Sequence, residues 1–96
     1  MFLILLHYLR PLPEVDRWVP EHRSFLERHY ASGKFLLSGR KEPRDGGVIL
    51  CRARSLDELR AIVAQDPFHR EGLARYELVE FMPTMSSPEL ASLLSG

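Results

Sequence analysis

The chain holds one cysteine, Cys51, in 96 residues. A single thiol excludes an intrachain disulfide and a cysteine-based zinc site. Cys51 lies in an apolar strand pattern, so it reads as a small buried hydrophobe and not as a reactive group. Excess charge of either sign is also missing. Thirteen basic and thirteen acidic side chains cancel. That balance argues against a nucleic-acid partner, which needs a basic surface, and against an anionic membrane surface. A local basic patch around Arg40, Lys41 and Arg44 is the exception. The opening run Met1–Leu6 is too short for a signal or membrane segment and lacks a basic start, so a cytoplasmic protein is expected. No glycine-rich phosphate loop occurs, so no nucleotide cofactor is expected. No metal is expected either, because His22 and Asp66 alone supply too few ligands to hold a zinc ion.

What is present is enough apolar sequence for one small domain: 45% of the residues are hydrophobic. Phe2–Leu9 is apolar almost throughout, as suits a central strand. Phe2, Ile4, Leu6 and Tyr8 share one face; Leu3, Leu5, His7 and Leu9 share the other. Pro11 and Pro13 end it. A first helix starts near Val19, with Pro20 in the first turn, where its missing N–H costs nothing. His22, Phe25, Leu26 and His29 form its inward stripe, and Gly33 stops it. Trp18, just before the helix, packs it against the body or walls a pocket. Phe35–Gly39 and Gly47–Ala53 read as strands joined by a loop with Pro43 and Asp45-Gly46-Gly47 at its turn. Ser55-Leu56-Asp57-Glu58 is a capping box opening a second helix. On that helix Leu59, Ile62, Val63 and Asp66 share the inward stripe, and Pro67 ends it. Phe68–Leu73 reads as a turn or short helical piece, and Arg75–Met82 as the last strand. Ser87-Pro88-Glu89 caps a short tail helix. The expected organisation is a domain over 1–84 and a tail over 85–96.

The order β-α-β-β-α-β folds most simply as a ferredoxin-like α+β sandwich, both helices on one face of an antiparallel sheet. The strands are apolar on both faces. The face without helices therefore needs a cover, and a second copy of the chain supplies one: a homodimer or higher even oligomer.

Two side chains carry the chemistry. His22 falls in the first turn of one helix and Asp66 at the end of the other. Side by side, those helices bring imidazole and carboxylate together, and a neutral histidine oriented by an aspartate is a general base suited to neutral pH. The expected site has His22 and Asp66 in catalytic roles beside a small cavity edged by Ser38, Gly39 and Phe68, which touch substrate. Ser38 offers a hydroxyl; Phe68 walls the pocket or anchors the turn. The plainer reading of the pair, a helix-ending Asp–Pro and a buried ion pair, stays open.

These residues also carry a family resemblance. Pro20-Glu21-His22 with Phe25-Leu26, Gly33 through Gly39, Gly46-Gly47-Val48-Ile49, Asp66-Pro67-Phe68 and Tyr76 through Phe81 together resemble the YCII-related (YciI-like) family over residues 1–84. The resemblance implies a dimeric ferredoxin-like α/β barrel and a His–Asp active site, whose positions match His22 and Asp66. One relative is similar to a dehydrochlorinase acting on a chlorinated hydroxyquinol. Arg40 departs from the family pattern, which often has proline after Ser-Gly, so the pocket rim differs here. Three functions stay open: a small acid–base enzyme of lyase or isomerase type acting on a small polar or aromatic compound, a non-catalytic small-molecule binding module, and a structural oligomerisation domain.

Overall fold

The first strand, β1 (Phe2–Tyr8), is buried at every second residue: Phe2, Ile4 and Leu6 are almost fully covered, while Leu3 and Leu5 stay half-exposed. In a computed structural model that describes residues 1–94, β1 is an inner strand of a four-stranded sheet. The elements that follow are α1 (Leu12–Asp16), α2 (Val19–Ala31), β2 (Phe35–Arg40), β3 (Gly46–Cys51), α3 (Leu56–Val63), α4 (Pro67–Arg70) and β4 (Ala74–Glu80), then a 3₁₀ turn over Pro88–Leu93. The sheet order is β2-β3-β1-β4, and every neighbouring pair is antiparallel. This is the ferredoxin-like arrangement that the element order predicts.

Register fixes which face is the core. Phe2 pairs with Cys51, and Ile4 with both Ile49 and Leu78. These side chains pack in one cluster with Phe25 of α2, Leu59 and Ile62 of α3, and Phe68 of α4. The helices therefore cover a single face. The opposite face presents Leu3, Leu5, Val48, Leu50 and Val79, with Leu37 largely exposed on the edge strand. A bulge in β2 between Phe35 and Leu37 keeps Phe35 on the core face and puts Ser38 there too, across from Ile49, since one extra residue shifts the alternation.

Local chemistry sets the element ends. Gly33 takes a φ of 81°, which favours glycine. Its N–H reaches the Tyr30 carbonyl and that of Lys34 the His29 carbonyl, a Schellman end to α2. Ser55 Oγ accepts from Glu58 N–H at 3.1 Å. The return bond of the expected capping box goes one residue further back, to Arg54 N–H at 3.0 Å, and the same carboxylate accepts from Lys34 at 2.9 Å. Gly46 passes so close to β1 that a Cβ there would sit 1.8 Å from the Leu6 carbonyl oxygen.

Four expectations need correction. Pro11 and Pro13 do not merely end a strand: Pro11 is the N-cap of α1 and Pro13 lies in its first turn, which buries Val15 completely. Second, α3 stops at Val63, not at Asp66. Asp66 instead opens α4 as its N-cap, because a residue before proline is pushed towards extended backbone and Asp66 has ψ 125°. Third, β4 runs over Ala74–Glu80, shorter at its end than expected, with Met82 83% exposed beyond it. Fourth, Ser87 precedes a 3₁₀ turn without a side-chain cap bond. The last two residues of the expected 85–96 tail lie outside the described residues. Among the described residues no helix is long and apolar enough to cross a membrane.

Candidate active site

Asp66 is the one buried charged residue among those described, with no exposed surface. A carboxylate so placed needs donors on its oxygens. Oδ1 accepts from His22 Nδ1 at 2.8 Å and from the Phe68 N–H at 3.0 Å. Oδ2 accepts from the Tyr76 hydroxyl. The Phe68 bond is the N-cap interaction of α4, so one oxygen both starts a helix and holds the imidazole. The Tyr76 phenol is pushed far above its usual range, first by burial and then by the negative charge of Asp66. It therefore stays a hydrogen-bond donor.

His22 lies in the first turn of α2, where Trp18 C=O receives its backbone N–H at 2.9 Å. Its ring is held from two directions. Asp66 fixes the edge, and Phe68 lies parallel to the ring face, with centroids 4.0 Å apart and planes 3° apart. Because Asp66 Oδ1 can only accept, Nδ1 carries the proton. Nε2 is then the unprotonated nitrogen of the neutral ring. The His22 side chain keeps 16% of its surface and lines a cavity of about 280 Å³.

That cavity lies between α2 and the core face of β1, β3 and β2. Leu6, Ile49 and Phe68 form an apolar floor; Val19 and Leu26 wall the helix side; Ser38 and Gly39 edge it from β2. All four sequence-predicted residues that were to meet a ligand or move its proton, His22, Ser38, Gly39 and Phe68, border this space. Asp66 does not, and acts from behind His22. Ser38 shares its hydroxyl with Tyr30, and with one proton and two lone pairs it keeps capacity for a further partner. Phe68 is 2% exposed, so it serves both the core and the pocket.

Several contributors escaped the sequence reading. Tyr76 reads there as a strand residue, and nothing local shows that its hydroxyl reaches Asp66. Tyr8 and Arg23 also line the cavity, and so does Arg44, which the sequence places in a local basic patch with Arg40. Arg44 is tied to Asp16, a hydrogen bond that lowers the Asp16 carboxyl below its usual range. Trp18 stays half-buried against the core, away from this cavity. The other histidines have plainer roles: His29 bonds Gln65 at 2.9 Å and packs edge-on to Phe25, and His7 bonds Glu77 at 3.2 Å on the open sheet face. Cys51 is fully buried, and burial pushes its thiol up to about 11. Among the described residues no group of three or more His, Cys, Asp or Glu side chains could hold a metal ion.

The model of the YCII-related domain matches residues 1–82. The chain belongs to the YCII-related family. No curated protein matches it. Among solved structures, this YCII-related chain is similar to a 5-chloro-2-hydroxyhydroquinone dehydrochlorinase from Burkholderia phenoliruptrix in complex with 2,5-dihydroxybenzoquinone. The TM-score is 0.71 at 22% identity, covering 84% of this chain and 93% of that one. At that identity the likeness speaks for the fold.

Proposed function

We propose that this YCII-related protein is a small acid–base enzyme of lyase or isomerase type, with His22 as the proton-transfer group and Asp66 as the residue that positions it. The carrying observation is the 2.8 Å contact to a fully buried carboxylate from the Nδ1 of His22, whose side chain lines a cavity. The neutral ring takes a proton from a substrate C–H or O–H through Nε2. The resulting imidazolium is stabilised by the adjacent carboxylate. In an isomerase the proton returns to a different substrate atom. In a lyase the C–H electron pair becomes a double bond while a leaving group departs from the next carbon with its bonding pair. Neither route needs a redox or nucleotide cofactor. Ser38, Gly39 and Phe68 serve as substrate contacts.

The active unit in this reading is a homodimer or higher even oligomer, joined through the sheet face that carries Leu3, Leu5, Val48 and Leu50. A half-exposed apolar surface on the two inner strands is what supports it.

The test is proton exchange. 2,5-Dihydroxybenzoquinone, the molecule in the similar dehydrochlorinase, is a reasonable first probe beside simple enolisable ketones. In D₂O the parent protein should speed exchange of the ketones' α C–H groups, and of the quinone's ring C–H groups through their C-protonated tautomer, and His22→Ala should lose that effect while remaining folded. A binding module without chemistry would show bound probe and no exchange. A purely structural pair would show neither, and His22→Ala would then cost stability alone.

A further inference from the structure

The cavity beside His22 has a charge pattern that the His–Asp pair does not explain. Three arginines from three parts of the chain line it: Arg23 from α2, Arg40 from the end of β2, and Arg44 from the β2–β3 loop. No aspartate or glutamate lines it. Asp66 sits behind the wall with both oxygens occupied. Arg40 and Arg44 have carboxylate partners, Glu42 at 3.1 Å and Asp16. Each contact engages one nitrogen of a guanidinium that has five N–H donors. Arg23 has no ion-pair partner among the described residues. Glu42 and Asp16 are half or more exposed, so solvent screens their hold on the arginines.

We infer that the substrate is a small organic anion with one apolar ring or a short apolar chain, its carboxylate or enolate oxygen held by Arg40 and Arg44 and its apolar body resting on Leu6, Ile49 and Phe68. This rests on the small-molecule site proposed above and adds the class of compound. Size supports it. A space of about 280 Å³ falls below the roughly 300–1,000 Å³ of drug-sized ligand pockets, which leaves room for about one ring and its substituents. Chemistry supports it as well. An apolar floor under a rim of guanidinium groups fits a molecule with one end of each kind, and Arg binds planar oxyanions through paired N–H groups. A neutral molecule of the same shape would leave the rim unused. Arg40 matters most here. It stands where the resemblance leads one to expect proline, so the rim charge is a feature of this chain's own residues.

The experiment compares benzoate with benzamide, which has nearly the same shape and no charge. Backbone amide signals of Ser38, Gly39 and Gly47 report occupancy during an NMR titration. Benzoate should shift them and benzamide should bind at least tenfold more weakly. Arg40→Gln should weaken benzoate about tenfold, as expected for loss of one charge-assisted hydrogen bond, and leave benzamide unchanged. Arg40 is exposed, so this variant keeps its fold, and Arg44→Gln serves as the second arm. His22→Ala should still bind benzoate. Benzoate binding by a parent protein that shows no proton exchange would sink the acid–base reading and leave this inference standing. Equal binding of benzoate and benzamide, benzoate binding indifferent to both arginine variants, or no shift at any cavity amide would overturn it.

Discussion

Tyr76→Phe removes a single oxygen and nothing else. The ring keeps its packing against the core and its edge contact with His69, 5.5 Å between centroids. What disappears is the donor to Asp66 Oδ2. Asp66 has no exposed surface, so water cannot replace it without opening the site. A hydrogen bond to a charged group contributes about 1.5–3 kcal/mol. Taking about 2 kcal/mol, and roughly 4–8 °C per kcal/mol for a domain of this size, the melting temperature should fall by about 10 °C at pH 7. The pH dependence gives a sharper check. Burial and Asp66 raise the Tyr76 phenol in the folded protein. A raised folded-state value means a contribution that is fully present below the unfolded value near 10 and lost as pH rises beyond it. In the parent the unfolded Tyr76 ionises above about pH 10 while the folded one stays protonated, which lowers stability by about 1.4 kcal/mol per pH unit. The phenylalanine variant lacks that loss. The gap between parent and variant should therefore shrink by about 1.4 kcal/mol near pH 11. Urea unfolding from pH 7 to 11 measures it. A variant as stable as the parent, or a gap that stays constant from pH 9 to 11, refutes the account of Asp66 as a carboxylate held by Tyr76.

Three further outcomes follow from the same geometry. Gly46→Ala forces a Cβ to within 1.8 Å of the Leu6 carbonyl oxygen, a backbone atom that cannot turn away, whereas a Cβ on Gly39 meets nothing within 4 Å. Thermal melts should show Gly46→Ala strongly destabilised and Gly39→Ala within about 1 kcal/mol of the parent; similar melting points for both would contradict the packing. Asp66→Ala leaves the Phe68 N–H, the Tyr76 hydroxyl and His22 Nδ1 without their acceptor, at about 1–3 kcal/mol for each buried group. It should melt well below His22→Ala, which loses one hydrogen bond and a ring stack of about 0.5–1.5 kcal/mol; the reverse order would show that the carboxylate is not the organising centre. Leu50→Lys puts a charge on the open sheet face opposite Leu3 and Leu37. Sedimentation should find a parent dimer at micromolar concentration and a monomeric variant, and a monomeric parent ends the oligomer proposal.

Periodicity and punctuation carried most of the architecture. The two-residue alternation in β1, the stripe through Phe25, the stop at Gly33 and the cap at Ser55 are local features, and local sterics and hydrogen bonding decide them. The short helix α1 was less legible. Pro11-Leu12-Pro13 signals both a strand end and a first helical turn, and only the docking of Val15 into the core selects between them. Asp66-Pro67 has the same ambiguity: the pair ends one helix or opens another, and the structure does the second.

The sequence by itself determined the order of the four strands and the two longer helices, the candidate residues His22 and Asp66, and the apolar strands that build one core. Those follow from patterns a few residues long. Tertiary structure decided which groups meet. His22 and Asp66 lie 44 residues apart, and their contact exists because α2 and α4 pack on the same sheet face. The Tyr76 donor and the converging arginines of the rim depend on that packing too, since long side chains from separate elements reach a common point only after the sheet and helices are in place. No spacing along the chain encodes such a meeting, because the distances involved are set by strand register and helix docking.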